Sequence, residues 1–375
     1  MKAVCVCFEV HLPLPTRWYW PREGYTTPAM DNYFDIERSF NNYSRLQRDI
    51  EVINDALIDS IERGGKYTFD ISGIFMEQCK WAPEIMESFR LLGKKGAHFA
   101  ASPYYHSICS LFPDIHEFRE QVQMHVNAIE SEFGITPSTF INSELLLEQR
   151  SMEIIKEMGF ECFISEGSHN LSNGIGPVHV YHNDIPTLLR HINLSEDIEK
   201  YFSDKKWSGY PLIADKFATW IANMQGDIVT LYIKYDSLHN HLQNGEKIVS
   251  FLKELPASLE AHGIEMLHPE EAAEKFKAEK LPSLQSKKTA RYGMHNLMGN
   301  HAQHLYLHEI QNIGKKIEKM KHGDPGKMKA IFRYLQQSEI LLEMGNDGYG
   351  HGYEKAVNNF SIISDIKRAL LEEDR

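Results

Sequence analysis

The 375-residue chain predicts an α/β fold: a closed or nearly closed β/α barrel with a small helical domain behind it. Three observations predict it. Short apolar runs rich in β-branched and aromatic residues alternate with amphipathic helical segments, and repeated β-then-α order implies a parallel sheet wound by crossover helices. Seven or eight such units favour a barrel over an open doubly wound sheet. The alternation stops at the linker-like stretch 277–293, "KAEKLPSLQSKKTARYG", beyond which only helical patterns follow, so residues 1–282 are assigned to the barrel and 283–375 to the helical domain.

The first strand is "AVCVCFEV" (3–10), where an apolar run broken by Glu9 and His11, without a small-residue cleavage site, reads as a strand and not as a signal peptide. Further strands are expected at "YTFDIS" (67–72), "AHFAA" (97–101), "STFINS" (138–143), "FECFIS" (160–165), "LLRHINL" (188–194), "DIVTLYI" (227–233) and "IEMLHP" (264–269). Helices between them are expected over 43–64, 75–93, 115–134 and 245–263. The C-terminal part gives helical patterns over 295–320, 328–345 and 360–373, with Gly-rich "NDGYGHGY" (346–353) read as a mobile loop over the cleft.

Composition narrows the function. Hydrophobic residues at 42% and charged residues at 25% are ordinary for a globular enzyme. A formal net charge of −12 argues against nucleic-acid or anionic-membrane binding, since phosphate contact needs surplus Lys and Arg. No run approaches the ~18 apolar residues that span a bilayer. Five cysteines with no CxxC read as reduced thiols in a cytoplasmic protein, Cys5 and Cys7 sharing one core-facing side of the first strand.

In a barrel of this kind chemistry gathers at the C-terminal strand ends. The first end offers Glu9 and His11 and then the aromatic loop Trp18, Tyr19, Trp20; the third offers Tyr104, Tyr105 and His106. The fourth offers Asn142, Ser143 and Glu144, and the seventh, in "DIVTLYIKYDSLHNH", offers Lys234, Tyr235, Asp236, His239 and His241. Each alone also reads as a satisfied strand-end or packing residue. Together, carboxylates, histidines and aromatics without HExxH, GxSxG or a Gly-rich phosphate loop suit a sugar: rings cover pyranose faces, and carboxylates act on the glycosidic bond.

The segments "CFEVHLPLPTRWYW", "ASPYYHSICSLF", "FINSELLLEQ" and "KWSGYPLIADKFATWIANMQGDIVTLYIKYDSLHNH" resemble, in order, the signature regions of family 57 glycoside hydrolases in their α-amylase-like branch. "SGIFMEQC", "WAPEIMESF" and "FRYLQQSE" resemble that branch too. The resemblance implies an incomplete (β/α)7 barrel with a C-terminal helical domain, retaining chemistry on α-glucans or malto-oligosaccharides, and no metal or organic cofactor. By the same resemblance Glu144 is the nucleophile, and His11, Trp18, Trp20, Tyr104, His106, Trp207, His241 and Glu339 contact sugar.

A retaining enzyme needs a second carboxyl group about 5–5.5 Å from the nucleophile. Aligned without gaps, Lys234 occupies the family's acid position and Asp236 the position of a glutamate two residues on; His98 replaces an expected glutamate and Glu339 stands where aspartate is commoner. A lysine donates protons poorly at neutral pH, and a cation ~5 Å from the anomeric centre opposes an oxocarbenium-like transition state by roughly 3 kcal/mol, about a hundredfold in rate. Lys234 is therefore expected within salt-bridge reach of Glu144. Asp236 is expected to follow it on the same strand face about 6.5 Å away, as a displaced acid.

Three readings compete. One is a cytoplasmic glycosidase using Glu144 and Asp236; another is a non-catalytic α-glucan-binding or regulatory protein on the same fold. The third is a metal-dependent carbohydrate deacetylase, supported by His301, His304 and His308 on one helical face. The acidic segment "SEDIEKYFSDKKW" (195–207) reads as a solvated helix and turn around Trp207.

Overall fold

A computed structural model describes residues 2–20, 27–167, 176–182, 184–245, 247–280, 288–345 and 351–373. Among the described residues ten strands build or flank the barrel: β1 (Lys2–Val10), β2 (Tyr67–Ile71), β3 (His98–Phe99), β4 (Thr139–Ile141), β5 (Cys162–Glu166), β6 (Val180–His182), β7 (Pro186–Arg190), β8 (Ile228–Lys234), β9 (Ile264–Met266) and β10 (Glu279–Lys280). Parallel pairing runs β3-β2-β1-β8-β7-β5-β4, and a single parallel bridge, Ala101 to Phe140, joins the two ends into a nearly closed barrel of seven strands. The β7–β8 seam is as thin, with one pair, Arg190 to Thr230. Among the described residues β9 pairs only with the foot of β1, at Lys2–Val4, below the start of β2 at Val6, and β6 is an antiparallel flap on β7 that carries β10 on its other edge.

Local chemistry explains where the elements depart from expectation. The first long helix begins earlier, at Ile36, because Asp35 caps it by accepting from the Arg38 N–H at 3.0 Å. The helix expected over 75–93 breaks into Gly73–Gln78, a 3₁₀ turn and Pro83–Lys95: Pro83 has no N–H to continue a helix and holds Ala82 extended, yet suits a first helical turn. The strand expected over 188–194 stops at Arg190, where His191 accepts from the Leu194 N–H and caps a helix, Ile192–Glu199.

The pleat sorts side chains into two apolar bodies. One lies between the strands and the surrounding helices. The other fills the lumen with alternate residues, among them Cys5, Cys7, Ala100, Ile141, Cys162, Ile164, Leu188, Ile228 and Tyr232. All five cysteines are buried and free. The same alternation carries on to Glu9, Glu166, Arg190 and Lys234 at the strands' C-terminal ends, so the polar mouth is the continuation of the apolar lumen.

Helices His301–Ile317, Pro325–Tyr334, Ser338–Glu343 and His351–Glu373 follow the barrel. The Ser338 helix docks on the barrel mouth: Gln337 accepts from the Leu14 N–H and donates to the Leu14 carbonyl, and the Ser338 N–H donates to the His106 carbonyl at 3.0 Å. Most of the Gly-rich loop, 346–350, lies outside the described residues. Among those described, no helix is long and apolar enough to cross a membrane.

Candidate active site

Glu144 sits just beyond β4 with its backbone in the left-handed region, φ 53°, followed by Leu145 at 51°. Such a conformation costs a non-glycine residue about 1–3 kcal/mol and marks functional turns. Three contacts hold it. The Ser338 hydroxyl donates to Glu144 Oε1 at 2.9 Å, the Arg291 N–H donates to the Glu144 carbonyl at 2.7 Å, and Thr289 bridges Leu147 in short antiparallel pairing.

Around it the strand ends assemble a connected polar ring. His106 Nε2 lies 3.1 Å from Glu9, its Nδ1 3.3 Å from Glu339 and 3.0 Å from Ser338 Oγ. His11 stacks on His106 with centroids 4.1 Å apart, Nε2 3.1 Å from Glu339 and Nδ1 2.8 Å from Ser72. Burial works against charge on His106, but the Glu339 and Glu9 carboxylates override it and hold the imidazole well above its ordinary value. Burial and the neighbouring His106 push His11 the other way, so the pair carries one proton more than two neutral rings. Glu9 stays ionised despite burial, held well below the usual carboxylate range by Lys234, Arg291 and His106.

Lys234 departs from expectation. Among the described residues no carboxylate comes within 4.0 Å of its ammonium, so it is not ion-paired with Glu144. The register explains this: Lys234 lies directly across from Glu9 on adjacent parallel strands, and Glu9 is the strongest influence raising its pKa, ahead of Glu144. Lys234 is thus a cation at the mouth that faces Glu9 across the strand register without closing to an ion pair among the described residues. Nor do Lys234 and Asp236 share a strand face. β8 ends at Lys234 and a helix, Tyr235–Gln243, begins at once, so strand spacing does not apply. Asp236 is exposed at the first turn of that helix, yet the protein packed around that turn raises its carboxyl pKa, with Lys234 pulling the other way.

The largest unforeseen feature is a buried charge network beneath the ring. Arg291, from the linker-like stretch, is fully buried and ion-paired with Glu9 and Glu199. Arg190, also fully buried, reaches Glu199 at 2.9 Å and Glu166 at 3.2 Å and donates to the Tyr232 carbonyl at 3.0 Å. Glu199 also accepts from the Lys234 N–H at 2.6 Å. The segment 195–207 is thus not simply a solvated charge run, since its Glu199 is buried. An arginine inside an apolar strand, as in "LLRHINL", was the available signal for Arg190; nothing local marks Arg291.

The remaining residues lie farther out. Trp18 and Trp20 are 54% and 71% exposed on a loop tied by Asn358 to the last helix, open platforms for a ring face. Trp207 stacks on Tyr201 at 5.7 Å and lies over Gly209, where a Cβ would meet the indole at 2.5 Å. Tyr104 lies over Gly73 and gives its hydroxyl to Glu77, shared with Tyr334, in the seam between barrel and helices. His241 bridges Ser203 Oγ and the Ile198 carbonyl, both at 2.6 Å, fastening the end of the helix that bears Glu199. His301, His304 and His308 are exposed, and among the described residues no three ligands converge there.

Below the ring, Ser102 and Tyr232 donate to Asp70 at 2.8 Å, while His125 accepts from the Ser102 N–H at 2.8 Å and lies 2.7 Å from the Ile71 carbonyl. Burial lowers His125 from 6.5 to about 4, so its contribution to stability is complete above 6.5 and is lost as pH falls toward 4, about 3 kcal/mol in all. Asp70 runs oppositely: burial raises it to about 6, so stability falls as pH rises from 3.8 through 6. The two partly cancel. Urea unfolding from pH 7 to pH 4 should therefore lose less stability in His125→Gln than in the native chain; parallel curves would rule the account out.

Comparison with known proteins accords with this architecture. Residues 5–285 match the model of glycosyl hydrolase family 57. The chain is 27% identical over 373 residues to the protein named "Putative alpha-amylase" of Methanocaldococcus jannaschii, covering 94% of this chain and 78% of that one. In fold it is similar to a family 57 branching enzyme of Thermococcus kodakaraensis, with TM-score 0.65 and 12% identity over 98% of this chain and 90% of that one. It is similar also to the 4-α-glucanotransferase of Thermococcus litoralis, with TM-score 0.59 and 12% identity, spanning 98% of this chain but only 60% of that longer one. By the match over most of its length, this chain belongs to glycosyl hydrolase family 57.

Proposed function

We propose that the protein is a retaining glycosidase of α-glucans, with Glu144 as nucleophile and Asp236 as acid/base. The observation that carries this reading is Glu144 itself: a carboxylate in a strained left-handed turn at a strand end, pinned by Ser338 and ringed by His106, Glu9 and Glu339. Asp236 supports it, since a solvent-reachable carboxyl with a raised pKa is what proton donation to a leaving oxygen requires. In the first step Glu144 attacks the anomeric carbon as Asp236 protonates the departing oxygen; in the second, Asp236 takes a proton from water or a sugar hydroxyl that displaces Glu144. Lys234, a cation raised first by Glu9, opposes positive charge at the anomeric carbon, so turnover is slow. The exposed Trp18 and Trp20 would carry outer sugar rings, and the reduced cysteines fit a cytoplasmic enzyme of carbohydrate metabolism.

Turnover of malto-oligosaccharides and glycogen tests this. Asp236→Asn should lower kcat roughly 10²–10⁴-fold with little change in sugar affinity. An unchanged kcat removes Asp236 from the mechanism. The second reading, an α-glucan-binding protein without turnover, is favoured by one observation, the cation at the acid position. It predicts an inert native chain that binds glucan and gains activity in Lys234→Asp.

A further inference from the structure

At the opposite end of the barrel from the cleft, two histidines and a glutamate converge. His98 opens β3 beside Thr68 of β2, and His268 and Glu270 stand at the start of a short helix, Pro269–Lys275, that follows β9. The imidazoles of His98 and His268 are stacked with centroids 3.6 Å apart and planes 2° from parallel. His98 Nδ1 lies 2.5 Å from Glu270 Oε1. One ligand atom from each of the three residues falls within 4.8 Å of the others.

We propose that His98, His268 and Glu270 form a binding site for a transition-metal dication, zinc foremost, on the floor of the barrel. Two imidazoles and one carboxylate are a zinc donor set that leaves a fourth position for water. Their outer partners match what such ligands need. The Thr139 hydroxyl donates to Glu270 Oε2 at 2.8 Å, and Thr68 Oγ1 lies 3.2 Å from His268 Nδ1, so two threonines of the barrel wall orient two of the three ligands. His268 is buried and stands neutral, its pKa lowered to about 4, first by burial, while His98 is 42% exposed and leaves a way in from solvent. A tetrahedral zinc site has edges of about 3.4 Å, so the side chains close by about 1 Å and one ring turns about its χ2 on binding. The ion takes the place of the proton between His98 and Glu270. The site is separate from the His11, His106 and Glu339 group at the mouth, and it joins β3 to the helix after β9, two elements with no ladder between them.

The test is zinc titration of chelator-stripped full-length protein by calorimetry, with cobalt absorption reporting the ligand field. One equivalent of zinc should bind, and magnesium in excess should not displace it. His98→Ala should weaken binding about a hundredfold or more, and Thr68→Val about 10- to 100-fold by freeing the His268 ring. Glu339→Gln, in the other cluster, should leave affinity unchanged. Because the His98 side chain is partly exposed, His98→Ala keeps the test valid even if Glu270→Gln fails to fold. Absence of tight zinc, or zinc held equally by His98→Ala, overturns the proposal; so does zinc lost in Glu339→Gln.

Discussion

Glu144→Gln is expected to abolish turnover of malto-oligosaccharides, lowering kcat roughly 10³-fold or more while the sugar still binds. The amide keeps the size of the side chain and an oxygen that accepts from Ser338, so the left-handed turn and its anchors to Arg291 and Thr289 persist. What it loses is the anion that bonds to the anomeric carbon. Calorimetric affinity for maltoheptaose should therefore change little as the rate collapses. A small external anion such as azide should restore part of the lost activity in Glu144→Ala by filling the vacated space and attacking from the same face. Native-like turnover in Glu144→Gln would assign the nucleophile elsewhere; a native chain without turnover would favour the binding reading.

Arg291→Met is expected to cost about 3–5 kcal/mol of folding stability. The guanidinium is fully buried and is the shared partner of Glu9 and Glu199, so its loss strands two carboxylates under the cleft. Each such group must then find another cation or take up a proton. Arg190 still serves Glu199, and Lys234 and His106 still face Glu9, which keeps the cost within that range. Urea unfolding at neutral pH measures it, and the double variant Arg291→Met, Glu199→Gln should recover part of the loss. A loss below about 1 kcal/mol would mean that water enters to solvate the carboxylates, and that the network is not sealed.

The barrel was legible because each strand carries its own local signature: apolar and β-branched, bounded by a turn, with polar residues where it emerges. Glu144, His11 and His106 followed from that rule, since a polar residue at the end of an apolar run has few other places to go. What escaped depends on distances that no local pattern encodes. Arg291 lies in a stretch whose charges and small residues look like a tether, yet it ends under the mouth between Glu9 and Glu199. Glu199 sits among charges that are mostly solvated, and only its pairing with two buried arginines distinguishes it. The Lys234 and Asp236 geometry failed for a different reason: strand alternation was carried two residues too far, past the point where the chain turns into a helix.

The clasp formed by Thr289 and Arg291 also sets an order of events. The strands that carry Glu9 and Glu144 emerge early in synthesis, when their anionic ends have no guanidinium from residue 291 to meet. Domains form as units and N-terminal parts appear first, so the barrel wall is laid down around an unbalanced mouth that settles only when a segment more than 140 residues beyond Glu144 returns to it. Competence for chemistry is thereby tied to completion: a nascent chain that ends before residue 291 holds Glu9, Glu144 and Glu199 but neither the guanidinium that joins Glu9 to Glu199 nor the Ser338 and Glu339 that complete the ring.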